Sequence, residues 1–316
     1  MDQLKTVTEK QLTNLQGQGF AIHMAVNNLT ATMDQLKILA AKPLVNEIKQ
    51  GRSFPNIQDA EFQVFSQFGD DGIIQYLIHN VEITSRRFIE FGVESYREAN
   101  TRFLLINDNW EGLIIDGSEQ NMSAVKGTDI YWRHTIEAVS AFIDKDNIND
   151  IFRKANFLGD IGIMSVDVDG NDYWILESID TVSPTILICE YNSTFGGKRA
   201  VSIPYDPTFE RNKAHFSNLY WGCSLAALEY LAAKKGYSFV GSNSNGNNAY
   251  FVRTDRLGKI KPMSAERGYM KAMFRESRDA SGGLTFVGPD KRLDVIADMP
   301  LIEVTTGTTL KARELK

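Results

Sequence analysis

Carboxylates recur in this chain at one kind of place, the end of a short apolar run. The run RRFIEF carries Glu90 and is followed by Gly92; GLIID closes on Asp116 before Gly117; IGIMSV leads into Asp167, Val168, Asp169 and Gly170; TILICE closes on Glu190, with Asn192 close behind. In an open α/β sheet, ligands bind beyond the carboxyl ends of the strands, where chain order reverses, so acids at these positions are placed for chemistry. An acid ending the second strand can accept both hydroxyls of a ribose, and a glycine after the first lets backbone approach a ligand. Glu90 and Gly92 with Asp116 and Gly117 therefore suit a cofactor that carries adenosine.

Charge separates such cofactors. The pyrophosphate of a dinucleotide needs a three-glycine turn and a bare helix N-terminus. Here Gly92 is followed by Val93, Glu94, Ser95 and Tyr96, with no second or third glycine. Glu90 and Glu94 repel phosphate but attract the sulfonium and ammonium groups of S-adenosylmethionine. The residues thus favour S-adenosylmethionine over a nicotinamide dinucleotide. The plainer reading of Glu90 is a solvated carboxylate at a strand end.

Asp167, Asp169, Glu190 and Asn192 offer hard oxygen atoms from two strand ends, with the last two leaving the same face. That set suits Mg²⁺ or another divalent metal. A metal-free polar site, or ordinary turn chemistry, accounts for the same residues. An EF-hand loop is excluded, because counting from Asp167 puts Asp172 where glycine is needed and Ser178 where glutamate is needed. Asp167 and Asp169 lead as general base or metal ligand, followed by Glu190. His215, in the connection YDPTFERNKAHFSNLYWG, is an alternative base, against simple exposure as a loop histidine. Tyr205, Arg211, Tyr220 and Trp221 of that connection would line an acceptor pocket, and Asn245 and Asn248 either face it or serve a turn.

The elements that must hold these side chains follow from the pattern of runs. Strands are predicted at 86–93, 112–118, 129–136, 161–170 and 185–192, with helices at 98–108, 144–156 and 171–179. A helix follows over 224–236, where Ser224 caps its first amides, Lys234 and Lys235 complement its negative end and Gly236 closes it. The segment 237–253 reads as a hairpin around an Asn/Gly/Ser turn. The fold class is therefore α/β, a Rossmann-like, seven-stranded, mostly parallel sheet with an antiparallel last strand. Before it, residues 1–50 form a helical extension. Ile22, Val26, Leu29, Met33, Leu36 and Ala40 recur in steps of four and three, an a/d-like seam that packs on its own domain or on another copy as a homo-oligomer. The expected domains are 1–50, a catalytic domain over 51–255 and an appendage over 256–316 packed on the core, with a basic helical stretch and strand-like pieces.

At this level the chain resembles a known family. FIEFGVESYREANTRFLL, GLIIDGSEQN, SVDVDGNDYWIL and ICEYN together look like the FkbM-like branch of class I S-adenosylmethionine-dependent methyltransferases, and VFSQFGDDGIIQYL resembles the helix before the first strand in that branch. The resemblance covers about residues 62–253. It implies methyl transfer to a hydroxyl of a sugar in a polysaccharide, glycoconjugate or glycosylated metabolite. It further implies that Glu90, Gly92 and Asp116 contact the cofactor, with Gln67, Asn100, Thr101 and Ser118 as second contacts, and that Ile136 and Glu137, after the third strand, touch adenine. The missing second glycine departs from the usual pattern of the first loop.

Composition narrows the rest. The 316 residues are 43% hydrophobic and 23% charged, enough to bury a core. Lys and Arg number 34 against 40 Asp and Glu, a net charge of −6 that argues against a nucleic-acid backbone as partner. Cys189 and Cys223 have no metal-type spacing, the N-terminus lacks a secretory pattern, and no run is long enough to span a membrane. A reducing cytoplasm fits best. The competing reading is a non-catalytic scaffold that keeps the fold and associates through residues 1–50.

Overall fold

β-Branched and aromatic residues concentrate in the runs that become strands, and the two longest runs are apolar without alternation, as strands covered on both faces must be. The computed structural model describes the backbone of residues 2–316 and the side chains of 14–22 and 24–316. The main sheet contains β1 (Arg87–Phe91), β2 (Glu111–Asp116), β3 (Ile136–Ser140), β4 (Gly159–Val166) and β5 (Val182–Glu190). A two-residue strand, β6 (Val201–Ser202), lies outside it, and β7 (Tyr237–Ser242) and β8 (Asn248–Arg253) complete it. The order is β3-β2-β1-β4-β5-β8-β7, parallel throughout except for β8, which runs antiparallel to both neighbours. Chain order reverses between β1 and β4, and the carboxyl ends of β1, β2, β4 and β5 all open on that crevice.

Helices cover the sheet. Ile89, Leu113, Ile161 and Leu187 meet Ile148, Phe152, Ile175 and Leu228 in one core, and each of these is essentially inaccessible. The helix Leu225–Lys234 starts at Ser224, whose hydroxyl accepts from the Ala227 amide at 3.1 Å, as its local sequence requires. Before β1, the Asp71 carboxylate accepts from the amides of Val64, Phe65 and Ser66 at 2.7–2.8 Å and pins the turn that enters the helix Asp70–Asn80.

Two segments differ from the sequence-based expectation. The predicted third strand over 129–136 is mostly a short helix, Asp129–Arg133, and β3 begins only at Ile136. Tyr131 and Trp132 favour strands, but with so short a run periodicity cannot separate strand from helix. The basic stretch 264–279 is helical only over Ala265–Gly268. Beyond it the backbone finds distant partners: Ala272 N donates to Ser193 Oγ, Met273 N to Asn245 O and Arg278 N to Ser217 O. Those bonds replace the local ladder of a helix.

The chain forms two compact units, one ending at Gln50 and the other Gly51–Lys316. The second holds the C-terminal strands as well, β9 (Pro300–Glu303) and β10 (Thr308–Lys311). They make a small sheet with β6 in the order β10-β9-β6, over a core of Phe195, Val201, Leu219, Tyr220, Ile296 and Leu301. The appendage is thus stitched to the connection that follows β5. The first unit is the helix Asp2–Lys49. Among the described residues, no helix is long and apolar enough to cross a membrane, and Cys189 and Cys223 are buried free thiols.

Candidate active site

A cavity of about 880 Å³ opens where the strand ends converge. Its wall carries eight acidic side chains against two arginines, a surplus that remains when the buried Asp167 and Glu190, whose pKa values are raised, are counted as neutral, so its field suits a sulfonium or a metal cation and opposes a pyrophosphate.

At the β1 end, Glu90 is buried and bound on both oxygens. Asn100 N donates to Oε1 at 2.7 Å, while Thr101 N and Oγ1 donate to Oε2 at 2.9 and 2.5 Å. Burial raises its pKa to about 7 against the pull of those donors. Glu90 therefore orders the loop before the helix Arg102–Asp108 as well as facing the cavity. Asn100 reaches across to Ser165 Oγ on β4 at 3.0 Å. Thr101 is fully buried behind Glu90 and is absent from the cavity wall.

Gly92 lines the cavity, and it has a further reason to be glycine besides a ligand's approach. Its φ is +66°, and a Cβ there would sit 2.1 Å from the Asp167 carbonyl oxygen. Glycine thus lets the ends of β1 and β4 close on one another. The loop that follows has no second glycine, and Glu94 and Tyr96 themselves adopt left-handed φ of 45° and 56°. Such residues cost about 1–3 kcal/mol each and persist only when their surroundings hold them. Here Glu94 N donates to Asp116 Oδ2 at 2.8 Å, and buried Tyr96 bonds Thr101 through its hydroxyl at 3.0 Å.

Asp116 ends β2 with Oδ1 accepting from Ser118 N at 2.8 Å, so its carboxylate is fixed at the cavity edge beside Gly117. Ser118 is an N-cap, its hydroxyl accepting from Asn121 N, and it stays out of the wall. Gln67 lies in the wall, as do Asn121, Phe142 and Ile143, which belong to no motif that spacing alone reveals. Ile136 and Glu137 are a correction. They open β3 instead of following it, and they line a separate groove along the open edge of that strand. The residues that follow β3 and reach the cavity are Ala141, Phe142 and Ile143. The half-exposed Phe142 ring lies beside Gly117.

On the other side, Asp167, Asp169 and Glu190 bring carboxylate oxygens within 4.8 Å of one another. Asp172, next along the motif, builds the loop that presents them: its Oδ1 accepts from Val168 N and its Oδ2 from Gly170 N, at 2.9 and 3.0 Å. Burial, reinforced by Asp169 and Asp172, raises the Asp167 pKa to about 8, and burial with Asp167 pushes Glu190 well up. Glu190 is 9% exposed, and its Oε2 has no hydrogen-bond partner. Asp169, at φ 56°, pairs with Arg211 Nη1 at 2.8 Å, and the guanidinium lies 4.7 Å over the Trp221 ring.

Asn192 and His215 do not join this group. The Asn192 amide donates to Leu219 O and Trp221 O at 3.0 Å, and its Oδ1 accepts from Thr194 N, so it anchors the connection. His215 lies outside the wall with Nδ1 2.7 Å from Ser217 Oγ, and its partial burial lowers its pKa. Its chain neighbour Ser217 captures the ring nitrogen. Tyr205, Tyr220, Trp221 and Asn245 are likewise absent from the wall. Arg211 and Asn248 are in it, joined by Asn171, Phe209, Asn247, Phe274 and Glu276. Asn248 is held by Asp70, whose Oδ1 also accepts from Asn243 and from the Tyr250 hydroxyl. Phe209 is legible only in retrospect: a Cβ on Gly170 would strike its ring, so this glycine marks where the connection lies on the motif.

No family profile and no curated protein matches the chain. Similar solved structures include the N-terminal domain of EvdMO1 crystallised in the presence of S-adenosylhomocysteine and D-fucose, 12% identical, covering 70% of this chain and 97% of that one with a TM-score of 0.37. An S-adenosylmethionine-dependent methyltransferase from Aquifex aeolicus is 10% identical, covering 66% and 98% with a TM-score of 0.35. M. capricolum TrmK, in complex with S-adenosylhomocysteine, is 13% identical, covering 54% and 62% with a TM-score of 0.31. These likenesses are faint. The strand order, with one reversed strand set between β5 and β7, is what gives this chain the class I methyltransferase fold.

Proposed function

We propose that this protein is an S-adenosylmethionine-dependent methyltransferase that methylates a hydroxyl of a sugar or glycoconjugate. The observation that carries the reading is the acidic cavity at the strand ends. Asp116 and Glu90 stand on one side of it, and the Asp167, Asp169 and Glu190 carboxylates on the other. S-adenosylmethionine supplies an electrophilic methyl group on a cationic sulfur. Asp116 would accept the ribose hydroxyls, the ring of Phe142 would cover the base, and the negative wall near Glu90 and Glu94 would balance the cofactor's positive charge. Holding acceptor and donor in line can contribute up to about 7–11 kcal/mol, so most of the task is positioning.

A sugar hydroxyl must also lose its proton. Asp167, whose pKa burial and the neighbouring Asp169 and Asp172 push up and which lines the cavity beside Glu190, is placed to accept it. The trio also fits a divalent metal: three carboxylates lie close together, one buried oxygen lacks any partner, and burial, reinforced by neighbouring carboxylates, raises the pKa values of Asp167 and Glu190. Asp167, Asp169 and Glu190 would hold the ion, while Asn192, absent from the cavity wall and tied to the connection, would not. Mg²⁺ or a similar ion would lower the proton affinity of a bound hydroxyl. Phe209 and Phe274 offer apolar faces beside polar Asn171, Asn247 and Glu276, the mixture a sugar ring needs.

Calorimetric titration with S-adenosylhomocysteine tests the cofactor, with micromolar binding expected and absence of binding overturning the reading. Transfer of labelled methyl groups into a carbohydrate fraction tests the acceptor class. Excess chelator should abolish transfer and Mg²⁺ restore it; full activity in chelator removes the metal.

A further inference from the structure

The helix Asp2–Lys49 exposes a row of large apolar side chains. Leu15, Ile22, Val26, Leu29, Met33 and Leu36 are each between 49 and 65% accessible. With Gly19 and Ala40 they alternate steps of four and three from residue 15 to residue 40, longer than the seam visible downstream of the glycines alone. The helix runs unbroken through Gly17 and Gly19, where an added Cβ would meet nothing. Glycine inside a helix weakens it in isolation, so this helix needs support from packing along its apolar face.

We infer that this seam pairs with the same helix of a second copy of the chain, in parallel and in register. Three observations select that occupant. First, no Asp, Glu, Lys or Arg occurs between Lys10 and Asp34. Charges flanking a seam ordinarily set the choice of partner, and over this stretch none is present to demand a different chain of complementary charge. The same gap disfavours a membrane surface, which calls for Lys and Arg on the polar face. Second, Thr30 and Thr32 flank the seam with their hydroxyls turned onto their own helix, donating to Val26 O and Asn28 O at 2.9 Å. Their hydroxyl protons are satisfied within the helix, as an interface poor in water requires. Third, leucine or isoleucine occupies every d position from 15 to 36, and the a positions Gly19, Val26, Met33 and Ala40 are free of the polar residues that would set a different register, so identical helices can meet in register along the whole seam.

The area is sufficient. Burying each such side chain removes on the order of 100 Å² from water. Six per copy give about 1,200 Å² over the pair, above the roughly 1,000 Å² of a specific interface. The inference does not depend on what the cavity binds.

Light scattering on the full chain at about 10 μM, well above a micromolar dissociation constant, should give twice the 35.5 kDa of the monomer. The double variant Ile22→Asp, Leu29→Asp should give the monomer, with its thermal transition and near-ultraviolet circular dichroism kept as evidence of an intact sheet. Leu15→Cys should crosslink rapidly to its copy on oxidation, since a parallel pair in register sets the two side chains together. A monomeric native chain, a double variant that stays dimeric, or a native chain that is monomeric and pellets with phosphatidylglycerol vesicles would each overturn the inference.

Discussion

The side of the cavity beyond β1, β2 and β3 is built mainly from residues 90–143, with Gln67 and Phe68 ahead of them in the chain also in the wall, while the side beyond β4 and β5 also draws on Phe209, Arg211, Asn247, Phe274 and Glu276 from distant connections. The first side is held by short-range bonds: Glu90 to Asn100 and Thr101, Asp116 to Ser118 and Glu94. The second is held by ties between elements far apart in sequence. Arg292, 2% exposed, donates to Phe274 O and lies over the Phe274 ring, and Arg278 N donates to Ser217 O. A common cofactor can be met by local motifs on a shared strand order. On the proposed function, an acceptor would be met by what the late connections bring over the sheet, so acceptor choice could change without disturbing the other side.

That contrast can be broken experimentally. Asp167→Asn should lower single-turnover methyl transfer by about 10²–10⁴, the usual worth of a positioned base, with S-adenosylhomocysteine affinity little changed. An equal loss of affinity would dissolve the division between the two sides.

Glu90 supplies a test through pH. Its carboxyl stays protonated in the fold up to about 7 but ionises near 4.5 when unfolded. Between those values the native state holds the extra proton, so stability should fall as pH rises from about 5 to 7, by up to about 3 kcal/mol from this group. Denaturant unfolding of Glu90→Gln should show a shallower decline over that window. The variant should also be less stable at pH 5, because its amide faces the Asn100 or Thr101 donors. An unchanged slope would show that Glu90 ionises freely in the fold.

Asp116→Ala should weaken S-adenosylhomocysteine by roughly 10- to 100-fold, the loss of a charged acceptor for buried hydroxyls. Phe274→Ala should raise the acceptor KM by roughly tenfold, a contact of about 1.4 kcal/mol, and leave the cofactor unaffected. The smallest effect sharpens the map of the first side. Glu137→Ala should leave cofactor affinity within about twofold, whereas Phe142→Ala should weaken it by several-fold. The reverse order would return the adenine contact to the start of β3.

The acids that line the cavity are legible in the sequence, because strands of a parallel sheet end at a common edge and apolar runs announce where they end. Glu90, Asp116, Asp167, Asp169 and Glu190 all follow from that rule. Asn192 does not, because its spacing from Glu190 says which face it leaves, but not that Leu219 and Trp221 wait there with carbonyls. Ile136 and Glu137 are displaced from the cavity because a short helix stands where the residue types favour a strand. His215 lies in the expected connection but has a nearer partner.

Local pattern by itself therefore determined the α/β class, the reversed strand within the hairpin and the strand-end carboxylates, since alternation, caps and turns are set by neighbours in sequence. Only the tertiary structure decided that Gly92 serves the Asp167 carbonyl, that Asp70 holds Asn248, and that Phe274 and Glu276 from the appendage close the cavity. Those contacts depend on how separate elements pack, and the burial and hydrogen bonding that fix them involve residues no local window contains.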